Sequence, residues 1–93
     1  MNRPDLEAVA KRVVWFKAPE ETLMDANLFL AHVMTYGTLS DIETTLRYFS
    51  EADFETVLND PPPGIFDRRS WTYWNVRYHR EPIPDLPQRR FPR

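Results

Sequence analysis

The side chains with the most chemistry in this chain crowd into residues 68–80, RRSWTYWNVRYHR, where four arginines, two tryptophans and two tyrosines occupy thirteen positions. Guanidinium groups pair with carboxylate or phosphate through two parallel hydrogen bonds, and aromatic faces stack on bases or on other rings. The stretch therefore suits a nucleic-acid surface, a protein contact or the last helix of a core. On a helical wheel Trp71, Trp74 and Tyr78 fall within about 60° of one another, and Arg69, Tyr73, Arg77 and Arg80 gather on the opposite side. That split predicts a helix whose aromatic side faces inward and whose arginine side forms the contact surface. The alternation of Trp74, Val76 and Tyr78 also fits a strand, but a cap at Asp67 and the two-faced segregation favour the helix. Arg89 and Arg90, in the tail PIPDLPQRRFPR, extend the same candidate surface.

Other chemistry is sparse. The two histidines, His32 and His79, stand on different elements with no ligand spacing between them, and there is no cysteine. Disulfides and thiolate metal sites are excluded, and a reducing cytoplasm is the expected compartment. His32, in helical register with Asp25, Phe29 and Tyr36, reads as a hydrogen-bonded residue at the edge of the core. Gly37 and Gly64 are the only glycines, too few for a phosphate-cradling loop. Ser40, Ser50 and Ser70 all have explanations as helix starts, so no nucleophile–base pair emerges from spacing. The sequence reads as non-enzymatic, with no cofactor.

The elements that must position these residues are helices. Residues 4–16 carry Leu6, Val9, Val13 and Phe16 at helical spacing, with Asn2 as cap and Pro4 in the first turn. A second helix is expected from 19 to 36, closed by a left-handed Gly37; it is apolar on more than one face, which places it centrally. Ser40 with Glu43 forms a capping box for the third helix, and Ser50 with Asp53 one for the fourth. Phe49 and Phe54, then Phe66 and Trp71, have the spacing of hydrophobic staples. NDPPPG at 59–64 stops the fourth helix. The expected fold is all-α, a compact bundle of four to five short helices over residues 1–80, followed by an extended Pro/Arg-rich arm over 81–93. Its core should include Val13, Leu23, Leu30, Val33, Leu46, Phe49, Leu58, Trp71 and Trp74.

Charge divides the 93 residues unevenly. Residues 1–60 hold five basic and eleven acidic side chains, a net of −6, whereas 61–93 hold seven arginines and three acids, a net of +4. Seven of the nine prolines also lie from Pro61 onward. Either the two ends neutralise each other within the molecule, or the basic end meets an anionic partner. The helix–GTLS–helix junction at 37–40 has the form of a helix-turn-helix, but its second helix would carry Asp41 and Glu43 toward phosphates. A nucleic-acid reading must therefore rest on 68–80 and the arm. No apolar run approaches the ~20 residues of a membrane span, and the N-terminus lacks the pattern of a signal peptide.

At VVWFKAPEE, FLAHVMTYGTLSDIETTLRYFS and FDRRSWTYWNVRY the chain resembles a group of small uncharacterised bacterial helical proteins often encoded beside nucleotidyltransferase-like abortive-infection toxins. The matching positions are Trp15, Gly37, Asp41, Trp71 and Trp74, spread over most of the chain. The resemblance rests on those three stretches and not on the PPPG spacer or the tail. The resemblance implies an antitoxin-like or accessory binding role and a protein partner, and it carries no catalytic residues. The expected function is thus a protein-binding or regulatory module, with nucleic-acid binding through the arginine-rich end as the alternative.

Overall fold

The computed structural model describes residues 3–86, and among these every regular element is helical. Six helices follow in order: α1 (Pro4–Val13), α2 (Pro19–Met24), α3 (Ala26–Tyr36), α4 (Leu39–Thr45), α5 (Glu51–Asn59) and α6 (Arg68–Arg77). None is long and apolar enough to cross a membrane. The residues 68–77 are helix, not strand.

The count exceeds the expected four to five because the 19–36 segment breaks at Asp25. Its backbone leaves the helical region (φ −112°, ψ 84°), and its side chain accepts a hydrogen bond from the Leu28 N–H at 3.2 Å. An aspartate that can cap a new helix competes with the backbone ladder of the old one. The first helix also stops early, at Val13. Val14 leaves the helical region (φ −130°, ψ 69°) and turns into the core, so Phe16 leaves the apolar stripe and is exposed. Asn2 lies outside the described residues; Arg3 occupies the cap position without a side-chain cap bond.

Two caps follow the expected chemistry and one moves. Ser50 and Asp53 form a reciprocal capping box, and the Asp67 carboxylate accepts from Ser70 N–H at 2.7 Å. For α4 the box is Thr38 with Asp41, not Ser40 with Glu43: Asp41 N–H donates to Thr38 Oγ1 at 3.1 Å, and Thr38 N–H donates to Asp41 Oδ2 at 3.0 Å. Both pairs have the required spacing. The choice falls to Asp41 because its carboxylate, buried in the fold, also pairs with the Arg12 guanidinium of α1.

Gly37 is likewise needed for a different reason than its sequence context suggests. Its φ of −73° and ψ of 151° are open to any residue, not left-handed. A Cβ there would stand 2.6 Å from the Val33 carbonyl oxygen, which accepts Gly37's own N–H. The glycine lets α4 start hard against the end of α3. Gly64, with φ 80°, supplies the left-handed turn between α5 and α6.

The core centres on α3, which packs against all five other helices. Phe29 through Met34 are all buried, six consecutive residues covered on every side, the pattern of a helix apolar all round. Of the expected core, Val13, Leu30, Val33, Leu58, Trp71 and Trp74 are buried, while Leu23, Leu46 and Phe49 pack at its margin. The staple pair Phe66 and Trp71 meets edge to face at 5.3 Å. After α6 the chain turns at His79 (φ 58°). Ile83 and Leu86 then pack against the core, and Pro84 O accepts the Trp71 indole N–H at 2.8 Å. The first part of the arm is thus seated on the body. Its remainder, with Arg89 and Arg90, lies outside the described residues.

Candidate interaction surface on the last helix

The inward side of α6 behaves as its spacing requires. Trp71 and Trp74 are buried and Tyr78 packs on the core. Trp74 Nε1 donates to Met34 O at 2.7 Å. That carbonyl belongs to the last turn of α3, where no intrahelical donor is available, so the indole both fills space and satisfies a buried acceptor.

The outward side divides into two halves. Arg77 and Arg80 turn back onto α5. Arg77 Nη2 donates to Glu51 Oε1 at 3.3 Å, and its guanidinium lies 5.8 Å from the Trp74 ring centroid and 5.9 Å from that of Tyr78. The Tyr78 hydroxyl donates to the same Glu51 oxygen at 3.3 Å. Hydrogen bonding with Tyr78, outweighing the opposing effect of burial, raises the Arg77 pKa above its ordinary value, and burial is the main cause that raises the Tyr78 pKa. Arg80 Nη2 donates to Glu55 O at 3.2 Å. Of the arginines expected on the outward contact surface, these two thus have partners on α5: Arg77 a carboxylate, as the neutralising reading of the charge layout expects, and Arg80 a backbone carbonyl.

Arg69 and Tyr73 are different. Arg69 is exposed and forms no ion pair among the described residues; Tyr73 is 55% exposed and stands edge-on to Trp74. Both border a cleft of about 500 Å³ between α6, the end of α3 and the start of α4. Met34, Ile42 and Trp74 give it an apolar lining, and Leu39, 74% exposed, stands at its edge. The cleft exists because Gly37 permits the tight α3–α4 junction and because the Trp74–Met34 hydrogen bond holds α6 beside it. No family model, curated protein or solved structure matches the chain.

The polar groups around the cleft are the Arg69 guanidinium, the Asp67 carboxylate engaged as a cap, and the hydroxyls of Thr35, Ser70 and Tyr73. They can orient and hydrogen-bond a bound group. Thr35 Oγ1 already donates to Ala31 O at 2.8 Å. His32 lies elsewhere, buried on α3 with Nδ1 donating to Leu28 O at 2.9 Å, as its surroundings suggest. Among the described residues no three His, Asp or Glu side chains are grouped to hold a metal ion.

Sequence reasoning named Arg69 and Tyr73 but not Leu39, Met34 and Ile42, which line the same cleft. An apolar residue in the first turn of a capped helix, as Leu39 is, was the available signal.

Proposed function

We propose that this protein is a non-enzymatic protein-binding module that takes a partner segment on the α6 cleft. The observation that carries this reading is the pairing of an exposed arginine, with no ion pair among the described residues, with an open cleft of mixed apolar and polar lining beside a half-exposed tyrosine. Tyrosine and arginine are enriched among residues that dominate interface energetics. The complementary partner segment presents a carboxylate to Arg69 and an apolar side chain to Leu39, Ile42 and Met34. An antitoxin-like or accessory role toward a nucleotidyltransferase-like toxin is the biological form suggested by the sequence resemblance. Nucleic-acid binding is the weaker alternative, since Arg77 and Arg80 are engaged by α5.

The test is copurification with a coexpressed nucleotidyltransferase-like toxin, together with relief of growth inhibition. Arg69→Gln and Tyr73→Ala should each weaken the complex by roughly 2 kcal/mol or more while leaving the thermal melt of the isolated protein unchanged. Wild-type binding by both variants would remove the cleft from the reading. Retention of duplex or single-stranded oligonucleotides with a steep, log-linear salt dependence would favour the alternative.

A further inference from the structure

A second surface lies on other elements. Trp15 and Phe16, in the turn between α1 and α2, are 79% and 60% exposed, and Tyr36 at the end of α3 is 61% exposed. They are linked in a row through the ring of the buried His32. Trp15 meets Phe16 edge-on at 5.6 Å, Phe16 meets the buried His32 at 6.3 Å, and His32 meets Tyr36 at 5.8 Å. His32 holds the row from behind, its own ring fixed by the hydrogen bond to Leu28 O. Folding does not require these rings outside. Val14 already fills the inward position at this turn, and a surface turn ordinarily takes small polar residues.

The charges along the same segment show what the row fits. Lys11 lies in the last turn of α1, Lys17 directly follows Phe16, and Glu20 and Glu21 come in the first turn of α2. All four are exposed, and none forms an ion pair among the described residues. Two exposed cations and two exposed anions close in sequence to Trp15 and Phe16 would be half mismatched to nucleic acid or to a uniformly charged peptide. They are complementary to the same four residues related by a two-fold axis, the isologous arrangement of most homodimers. The size is also right. At ~150–250 Å² per aromatic side chain, the three exposed rings present roughly 300–500 Å², a large part of the ~800 Å² that each partner of a standard interface buries. Aromatic centre and charged rim is the usual anatomy of such a contact.

We propose that the Trp15–Phe16–Tyr36 face binds a second copy of this chain, forming a two-fold dimer in which Lys17 of one copy meets Glu20 and Glu21 of the other. This surface is separate from the α6 cleft and stands or falls independently of it.

Sedimentation equilibrium of the full chain from micromolar to millimolar concentration tests it. The expected result is a reversible shift from the 11.1 kDa monomer to twice that mass. Trp15 is the exposed tryptophan, Trp71 and Trp74 being buried, so its emission should shift to the blue over the same range. Trp15→Ser and Tyr36→Ser should each weaken dimerisation at least tenfold with an unchanged circular dichroism spectrum. Lys17→Glu should do the same, and adding Glu20→Lys and Glu21→Lys should restore the dimer. A monomer throughout the range, or a dimer indifferent to Trp15→Ser and Tyr36→Ser, overturns the proposal. A monomer whose Trp15 emission is quenched by a single-stranded oligonucleotide would overturn it in favour of base stacking.

Discussion

Two aromatic clusters in this small protein use the same residue types in opposite ways. Around α6, Phe54, Phe66, Trp71 and Trp74 are buried, and both indole N–H groups reach backbone carbonyls, one on α3 and one in the segment after α6. Around the α1–α2 turn, Trp15 meets Phe16, Phe16 and Tyr36 each meet His32, and the three rings stay largely exposed among the described residues. What separates them is not hydrophobicity but closure. The first cluster has helices on both sides and a carbonyl for every indole donor, so its rings hold the fold. The second has a core on one side only, so its rings are available for something else. An aromatic residue is read correctly only when its neighbours in space are known.

The largest effect that sharpens this comparison is on stability. Trp74→Ala should cost about 3–5 kcal/mol, because it opens a cavity beside Phe54 and strands the Met34 carbonyl without a donor. Trp15→Ala should stay within about 0.5 kcal/mol of wild type, as exposed substitutions do. Denaturant titrations of the two variants measure both, and equal losses would erase the distinction between the clusters.

A smaller effect is expected at the α3–α4 junction that shapes the cleft. Gly37→Ala places a methyl group against the Val33 carbonyl, where backbone must move, and overpacking of this kind costs roughly 1–3 kcal/mol. Because strain and not lost conformational freedom is the cause, the variant should also lose partner binding at the cleft. A melting temperature equal to or above that of wild type would show that the junction relaxes freely.

Acid should loosen the same junction. Burial pushes the Asp41 carboxyl up, but hydrogen bonds from Arg12 and Thr38 outweigh it and hold the pKa below the ordinary value of 3.8. A carboxylate depressed in the folded state contributes stability above its unfolded pKa and loses it as pH falls through the folded one. Stability should therefore decline below about pH 4, and less steeply in Asp41→Asn. Matching acid profiles for the two proteins would mean that other carboxylates dominate.

The smallest effects separate the two halves of the arginine stripe. Arg77→Gln breaks a half-exposed ion pair with Glu51 and should cost at most about 1 kcal/mol, whereas Arg69→Gln should leave the melt unchanged. If Arg69→Gln were the more destabilising, the assignment of the open half would be reversed.

Much of this arrangement was legible along the chain, for local reasons. The helical class, the caps at Ser50 and Asp67, and the inward side of α6 follow from side-chain periodicity and from hydrogen bonds spanning three residues. So does the central place of the segment now seen as α3, since a stretch apolar on every side can only be surrounded. Composition and charge order also set an acidic body and a basic end without reference to contacts. Tertiary structure alone decided the rest. Thr38 won the cap over Ser40 because Asp41 had a distant partner in Arg12. Gly37 was needed for a close approach to Val33 O, not for a left-handed turn. Arg77 and Arg80 were drawn onto α5, twenty-five or more residues away, leaving Arg69 and Tyr73 at the cleft. Sequence specifies which groups a residue can satisfy within a turn or two of helix; which of several equally suitable partners it meets depends on how separate helices pack, and no local pattern carries that information.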